Sequence, residues 1–335
     1  MKDEAGIALK DNSMNIAEGA QTLEVRVPAS TSNLGAGFDC FGLALELYLT
    51  VRAKIAVGSS EACRIRTRGE RDSAFLSKST DNLIFKAMRF AAMRESLRLP
   101  HVRLAVHNEI PLGCGLGSSG AAIIAGLTLG AAICGIDLSP DKILRYAVEL
   151  EGHPDNVVAA FYGGRVTSCI TQEKDVLTVK RAWPSIIKVI IVSPHVPVET
   201  KRARAALPTM IERADAVYNL QRAALFGAAL ESERYELLWE AMQDRLHQTH
   251  RQHLVPGLAE ALATPRLEGL LGLALSGSGP SVIALACDNL GEIGETLANN
   301  FQQRGIQTTV RHLAVDEHGM RICKAKTKQR RRTNL

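Results

Sequence analysis

A glycine-rich segment restricts the fold of this 335-residue chain more than any other feature. It reads Pro111-Leu112-Gly113-Cys114-Gly115-Leu116-Gly117-Ser118-Ser119-Gly120-Ala121. Alternating apolar residues before it predict a strand over His101–Val106, and uncharged residues after it predict a helix from Ser118 to about Cys134. Glycine allows left-handed backbone angles and close approach to a ligand, and a helix start presents free N–H groups to an anion. The segment therefore predicts a phosphate-binding loop, with the Ser118 and Ser119 hydroxyls available to phosphate oxygen or Mg²⁺.

Two other glycine motifs compete with this interpretation. The chain contains no GxxxxGK[ST], which excludes a P-loop. Residues 115–120 match the GxGxxG of dinucleotide-binding folds, but Asn108, Glu109 and Pro111 separate them from the strand, whereas that fingerprint begins at the strand end. Asp137 follows a helix exit, so it is a poor partner for a ribose. On this segment alone, a glycine turn without a ligand also stays open.

The length of 335 residues suits two domains, and 46% apolar with 22% charged residues is typical of a globular protein. Seven cysteines form no CxxC pair, so we expect reduced thiols and a cytoplasmic protein. Acidic residues near the N-terminus argue against a signal peptide. The uncharged run 110–136 is long enough for a membrane helix, but its glycine, proline and alanine content favours a buried helix and no membrane partner.

Net charge is +5, and the tail Lys324–Arg332 holds six basic residues without an acidic one. Subtracting these six leaves about −1 for the rest of the chain, which offers no electrostatic footprint for nucleic acid. We therefore predict no nucleic-acid partner and a solvated tail.

Strands are predicted in groups between helices, without the steady alternation of a doubly wound fold, which indicates the α+β class. The predicted strands are Leu23–Val27, Leu43–Val57, Arg64–Arg68, His101–Val106, Ile186–Val192, Leu271–Leu275, Val282–Ala286 and Thr308–His312. The predicted helices are Asn82–Glu95 with Asp81 as its cap, Ser118–Cys134, Pro140–Leu150 with Ser139 as its cap, Met210–Ala229, Arg234–His250 and Glu292–Arg304. We divide the chain into a flexible arm (1–20), an N-terminal domain that carries the predicted phosphate-binding loop (21–175), a C-terminal domain (176–318) and a basic tail (319–335).

Three further segments concentrate polar groups on turns. Pro28–Asp39 carries Asn33 and Asp39 beside glycines, and the run 151–156 brings acid, imidazole and amide together. Ser276–Pro280 is a glycine turn between two predicted strands. Taken alone, Pro28–Asp39 would be interpreted as an ordinary turn, and the run 151–156 could equally be a binding site or a capped helix exit.

In this order, the four segments resemble the motifs of the GHMP small-molecule kinases, and more narrowly those of homoserine kinases. Thr200–Arg204 with Leu207-Pro208, and the set Asp244, Arg251 and Pro256, resemble motifs of the same group. The resemblance spans about 24–285. It implies an N-terminal domain like ribosomal protein S5 domain 2, a ferredoxin-like C-terminal domain and an active site between them. It also implies ATP, Mg²⁺ and a homodimer.

The resemblance implies ATP-dependent phosphorylation of L-homoserine in threonine biosynthesis. Arg204 and Arg251 would bind the substrate carboxylate, and Asp39 would bind its ammonium group, since guanidinium forks suit carboxylates. The resemblance also places Asn33 and His153 among the polar groups around the substrate and Asn156 beside the reacting hydroxyl. Arg204 and Asp155 are further catalytic candidates. Asn82 would contact the adenine or cap a helix.

Several choices stay open at this stage. Either Glu149 or Glu151 could join Ser118 and Ser119 around Mg²⁺. Because the two glutamates are two residues apart on a helix, they point in different directions, and the sequence does not say which one faces the site. Asp155 stands where related kinases have a general base, and the reaction could also proceed without one. A kinase for another small alcohol and a catalytically silent ligand-binding relative remain alternatives. The spacing of His247, His250 and His253 arises easily by chance near a helix end.

Overall fold

The computed structural model describes residues 22–69 and 80–324, so the predicted N-terminal arm and most of the basic tail lie outside the described residues. Within them, eleven strands form two sheets. The strands are β1 (Leu23–Ser32), β2 (Phe41–Ile55), β3 (Cys63–Gly69), β4 (Val102–Asn108), β5 (Arg165–Ile170), β6 (Val176–Arg181), β7 (Lys188–Pro194), β8 (Leu270–Leu275), β9 (Val282–Ala286), β10 (Thr308–Leu313) and β11 (Arg321–Lys324). The helices are α1 (Leu83–Arg94), α2 (Ser118–Cys134), α3 (Pro140–Glu151), α4 (Asp155–Tyr162), α5 (Thr200–Ala205), α6 (Arg213–Glu231), α7 (Leu238–Ala241), α8 (Gln248–Arg251), α9 (Leu258–Leu262) and α10 (Leu290–Gln302).

The first sheet has seven strands, with β11-β1-β2-β4-β3 in order and the β5–β6 pair attached to β2. Strand β2 is long enough to pair with β5 near its start and with β4 near its end. Strands β3 and β4 run parallel, and the other pairs are antiparallel. The second sheet has the order β10-β7-β9-β8, all antiparallel.

Helix α2 is buried on almost every side, as the uncharged run predicted. Two of its glycines allow α1 to approach closely: a Cβ on Gly126 would lie 2.4 Å from the Ile84 carbonyl oxygen, and one on Gly130 would lie 2.5 Å from that of Met88. Helix packing this tight leaves no room for a side chain at either position. In the described part of the chain, no helix is both long and apolar enough to cross a membrane.

The predicted helix Arg234–His250 is wrong. The structure has a 3₁₀ turn at Tyr235–Leu237, the short α7 and the short α8 instead. The Asp244 carboxylate interrupts the pattern because it accepts hydrogen bonds from the backbone N–H groups of Leu246, His247 and Gln248 at 3.1, 2.9 and 2.7 Å. Aspartate competes with helical hydrogen bonding in this way, and apolar periodicity does not reveal it.

One smaller expectation also changes, the cap of α1. Asn82, and not Asp81, caps α1, because its side chain accepts the Ile84 N–H at 2.9 Å.

Strand β6 begins after the predicted domain boundary at 175, and β11 lies in the predicted tail, yet both belong to the first sheet. The local patterns also missed α4, α5, α9, β5 and β6, which are short elements of five to eight residues.

Candidate active site

The four motif segments meet at one cavity between the two sheets. The end of β1 and the loop after it form one wall, and the glycine-rich loop with the start of α2 forms the next. The α3–α4 junction, α5, α8 and the turn between β8 and β9 complete the lining. Segments more than 200 residues apart in sequence therefore build a single site, as the resemblance implied.

The glycine-rich loop is wedged between β1 and the β8–β9 turn. Gly117 has φ +67°, and a Cβ there would lie 2.0 Å from the Ser30 Oγ. Gly115 has φ +72°, and a Cβ there would lie 2.1 Å from the Ser276 carbonyl oxygen. No side chain caps the start of α2, so its first N–H groups stay available to an anion.

Glu151 faces the cavity and Glu149 does not. The Ser119 hydroxyl donates to the Glu151 Oε2 at 2.7 Å, and both residues line the cavity. Burial raises the pKa of Glu151, although the Ser119 hydrogen bond opposes the shift. Glu149 instead pairs with the Arg94 guanidinium at 2.9 Å on the surface. Of the two predicted metal-binding glutamates, the structure brings Glu151 to Ser118 and Ser119.

A polar chain continues from Glu151 along the base of the cavity. The His153 Nε2 lies 3.9 Å from the Glu151 Oε1, and its Nδ1 lies 2.5 Å from the Asp155 Oδ1. Burial alone would lower the pKa of His153, but the Asp155 hydrogen bond and charge outweigh it and raise that pKa. Burial alone would raise the pKa of Asp155, but His153 and the Asn156 N–H hold it below its ordinary value.

Asn156 is held by hydroxyl groups on β1. The Ser30 hydroxyl donates to the Asn156 Oδ1 at 2.9 Å, and the Asn156 amide donates to the Ser32 Oγ at 3.0 Å. The backbone N–H of Asn156 also donates to the Asp155 Oδ1 at 2.7 Å. These bonds fix the orientation of the amide beside the glycine-rich loop.

Asp39, Arg204 and Arg251 form a charged wall of the same cavity, where the Asp39 carboxylate lies close to His153 and Asp155. The Arg204 guanidinium donates two hydrogen bonds to the Asp39 carboxylate, at 3.1 and 2.7 Å. Burial would lower the pKa of Arg204, but Asp39 outweighs that effect and raises it. Arg251 is almost wholly buried, and burial together with Arg204 lowers its pKa to about 10. The residues assigned to the two charged groups of an amino acid are therefore close together.

Two predicted contact residues are engaged by the protein itself. The Asn33 amide donates to the Gly277 carbonyl at 2.8 Å, and its oxygen accepts the Asp39 N–H at 3.0 Å, so Asn33 fixes the loop that carries Asp39. Asn82 caps α1 and is not among the residues that line this cavity, and its contact with adenine stays a prediction.

Sequence reasoning did not single out Phe38, Ser278 or Ser32, which also line the cavity. Phe38 lies within the Pro28–Asp39 motif, beside Asp39. Its ring contacts both arginines, with the Arg204 and Arg251 Cζ atoms 5.6 and 5.4 Å from the ring centroid. An aromatic residue next to a proposed ligand was the signal that could have identified it.

The side chains that cluster as potential metal ligands in the described residues are not the ones predicted to bind metal. Asp39, His153 and Asp155 bring potential ligand atoms within 4.8 Å of one another. The three histidines of the 247–253 row do not converge, because His247 is buried while His250 and His253 are exposed.

Comparisons with known proteins identify the family. Residues 82–164 match the family model described as GHMP kinases N terminal domain. Over 301 residues the chain is 39% identical to the homoserine kinase of Solibacter usitatus, an alignment that covers 90% of this chain and 97% of that protein. Over 302 residues it is 40% identical to the homoserine kinase of Desulfitobacterium hafniense, with 90% and 99% covered. The chain belongs to the homoserine kinase family.

A solved structure of a homoserine kinase has the same fold as this chain. The crystal structure of homoserine kinase from Cytophaga hutchinsonii has a TM-score of 0.79 and 26% identity, and the match covers 92% of this chain and 100% of that chain. The predicted α+β GHMP kinase fold is confirmed, and the chain is a kinase. The likenesses of the separate domains to ribosomal protein S5 domain 2 and to ferredoxin stay predictions.

Proposed function

We propose that this chain transfers the γ-phosphate of ATP to the side-chain hydroxyl of L-homoserine, giving O-phospho-L-homoserine and ADP. The observation that carries the proposal is the presence of Asp39, Arg204 and Arg251 in the same cavity as the glycine-rich loop. Homoserine is a zwitterion with a hydroxyl group, so it needs an anionic partner, a cationic partner and a nearby phosphoryl donor. The reaction belongs to threonine biosynthesis.

The charged wall supports an amino acid as the substrate. Arg251 keeps a positive charge at neutral pH because its lowered pKa of about 10 is still well above 7. Arg204 and Asp39 neutralise each other through their direct hydrogen bonds. A zwitterion matches this wall because its carboxylate pairs with the guanidinium groups while its ammonium pairs with Asp39. An alcohol without an ammonium group would leave Asp39 without that partner.

The phosphate-binding wall supports ATP as the donor. Residues 111–121 combine backbone N–H groups, left-handed glycines and the start of α2. Ser118 and Ser119 add hydroxyl groups there. Anions bind at such helix starts because the free N–H groups and the helix dipole favour negative charge.

Mg²⁺ fits the oxygen atoms at the same wall. Ser119 and Glu151 are hydrogen bonded to each other. Burial raises the pKa of Glu151, and a nearby cation would stabilise its ionised carboxylate. We propose that Glu151 holds the ion together with Ser118 or Ser119, and we assign Glu149 no part in it. When bound, Mg²⁺ neutralises charge on the phosphate oxygens.

The reaction requires mainly positioning and charge neutralisation. Asn156, fixed by Ser30 and Ser32, would orient the substrate hydroxyl. The γ-phosphorus bond to the bridging oxygen of ATP breaks as the bond to the homoserine oxygen forms, ADP leaves, and the hydroxyl proton passes to the transferred phosphate or to water. Asp155 is already bonded to His153 and to the Asn156 N–H, so we propose that it orders the site and is not a dedicated base.

We further propose a cytoplasmic homodimer. The six cysteines with described side chains are free thiols, which supports a reducing compartment. Met210, Ile211, Val217 and Leu220 expose apolar surface at and just before α6, and such surface commonly marks protein contacts. Light scattering of the purified protein would test the dimer directly. The absence of nucleic-acid and membrane partners stays a prediction.

The proposed reaction is tested by identifying its product. Purified protein with Mg²⁺-ATP and L-homoserine is followed by ³¹P NMR, and a new phosphate monoester that matches O-phospho-L-homoserine is expected alongside ADP. Binding of both compounds in a thermal-shift assay without any phosphate ester would instead indicate a catalytically silent relative. Arg251→Leu should bind ATP normally and lose most of its homoserine affinity.

A further inference from the structure

His247 is a buried histidine for which the proposed chemistry gives no role. Its side chain is 0% exposed. The Nε2 atom lies 2.9 Å from the Gly35 carbonyl oxygen, and the Nδ1 atom lies 3.3 Å from the Arg251 Nη1. On one face the imidazole stacks on the Phe38 ring, with 5.3 Å between the ring centroids. The histidine is therefore held from several sides next to an arginine of the cavity.

These two contacts determine the proton on the imidazole. A carbonyl oxygen can only accept a hydrogen bond, so Nε2 carries the hydrogen. A guanidinium nitrogen can only donate one, so Nδ1 carries the free lone pair. The neutral tautomer with hydrogen on Nε2 is the state that satisfies both partners. Protonation of Nδ1 would remove the bond to Arg251 and place two positive charges together.

Asp244 holds the backbone of His247 in place. Its Oδ2 accepts the His247 N–H at 2.9 Å, while its Oδ1 accepts the Asn219 amide at 2.6 Å. The charged groups that act on the imidazole are Asp244, Arg251 and Asp39. Burial and the Arg251 charge lower the pKa of His247 more than the two carboxylates raise it, so the neutral form is favoured.

Arg251 is fixed by three acceptors and keeps one nitrogen for a ligand. Its Nε donates to the Ala203 carbonyl at 3.2 Å, and its Nη1 donates to the Gly277 carbonyl and to His247, each at 3.3 Å. Among the described residues, no acceptor binds its Nη2, and the residue lines the cavity. His247 thus contributes one of the bonds that decide where the Nη2 hydrogens point.

We propose that His247 is a positioning residue that orients the Arg251 guanidinium toward the α-carboxylate of the substrate, and so favours amino acids over alcohols without a carboxylate. The inference rests on the proposed function because it takes Arg251 to bind the homoserine carboxylate. His247 itself touches no reacting atom in this account. Its effect should therefore be seen in substrate affinity and selectivity, with little change in ATP affinity.

A matched pair of substitutions separates the two nitrogen atoms. His247→Asn keeps an oxygen close to the Nδ1 position and can still accept from Arg251. His247→Gln carries its amide close to the Nε2 position, keeps a donor for Gly35 and leaves Arg251 without the acceptor. Exposed His250→Gln is the control for a histidine change in the same segment. Dissociation constants for L-homoserine and for 3-amino-1-propanol, which lacks the carboxylate, are measured by NMR titration.

We expect His247→Gln to weaken homoserine binding about tenfold, in the range for a lost hydrogen bond to a charged group. Binding of 3-amino-1-propanol and ATP should change little, and His247→Asn should retain most of the homoserine affinity. Equal weakening of homoserine and 3-amino-1-propanol, or no difference between the Asn and Gln variants, would overturn the inference.

A measurement on the unaltered enzyme keeps the test independent of variant folding. ¹⁵N NMR of the His247 ring should show the tautomer with hydrogen on Nε2, and hydrogen on Nδ1 at neutral pH would overturn the inference. The proposed function fails separately, if the unaltered enzyme makes no phosphohomoserine. An active enzyme whose Gln variant keeps its preference for the carboxylate would disprove only the role of His247.

Discussion

The Arg204 guanidinium and the Asp39 carboxylate bind each other through two hydrogen bonds, although they lie 165 residues apart in sequence. Their side chains are 37% and 31% exposed, so the pair borders the cavity and is not sealed in the core. An ion pair exposed to this degree contributes little to stability. It can open at low cost when a zwitterion offers each member a new partner of opposite charge.

Replacing Asp39 by asparagine should therefore reduce selectivity for an ammonium group. We expect the KM for L-homoserine to rise about tenfold or more, since a charged hydrogen bond is lost. The KM for 4-hydroxybutyrate, which has the hydroxyl and carboxylate but no ammonium group, should change much less. Steady-state kinetics with both alcohols measure this, and an equal rise in both KM values would contradict the assignment of Asp39.

The pair Glu151 and Glu149 allows a matched test of the metal site. Glu151→Gln should lower kcat at least about tenfold and raise the Mg²⁺ concentration needed for half-maximal rate, because a cation ligand in the cavity is lost. Glu149→Gln removes the same charge two residues away, where it only pairs with Arg94 on the surface, and should leave both values close to those of the unaltered enzyme. Similar losses in the two variants would refute the choice of Glu151.

Asp155→Asn tests whether the reaction needs a dedicated base. We expect measurable turnover, because the Asn side chain can still accept a hydrogen bond from His153. The pKa of His153 should fall, since the Asp155 hydrogen bond and charge are what raise it above its ordinary value. Turnover assays and an NMR titration of His153 provide the two measurements. A variant that binds both substrates and forms no product would show that Asp155 is a base.

Gly117 and Gly135, at the two ends of α2, form a second matched pair. Both have left-handed backbones, with φ +67° and +66°, but a Cβ on Gly117 would meet Ser30 while one on Gly135 would meet nothing within 4 Å. Gly135→Ala should lower the free energy of unfolding by roughly 1–2 kcal/mol and leave ATP binding intact. Gly117→Ala should lower the free energy of unfolding further and raise the KM for ATP at least tenfold. Denaturant unfolding and ATP titrations compare them, and an unchanged KM in Gly117→Ala would count against the loop assignment.

Features that depend on local sequence were predictable. Helix α3 begins at Pro140 after the Ser139 cap, whose hydroxyl accepts the Lys142 N–H at 3.3 Å. Helix α2 follows its glycine-rich loop as expected and is buried because it carries no charge. The four motifs, once recognised together, also led to one cavity.

Features that depend on distant partners were not predictable. The break in the expected helix 234–250 forms at Asp244, whose carboxylate accepts backbone N–H groups of the following residues and is held by the amide of Asn219, 25 residues earlier. Pairing of β6 with β5 and of β11 with β1 is decided by the sheet and not by their own patterns. Whether Glu149 or Glu151 faces the site depended on the rotation of α3, which spacing alone left open.

The central claim is that the cavity selects L-homoserine for phosphorylation by ATP. ADP release from purified protein with Mg²⁺-ATP, with L-homoserine compared in parallel with mevalonate, galactose and L-serine, tests it most directly. We predict strong turnover with homoserine and rates near background with the other three. Turnover that is faster with mevalonate or galactose would contradict the assignment of Asp39, Arg204 and Arg251 to an amino acid.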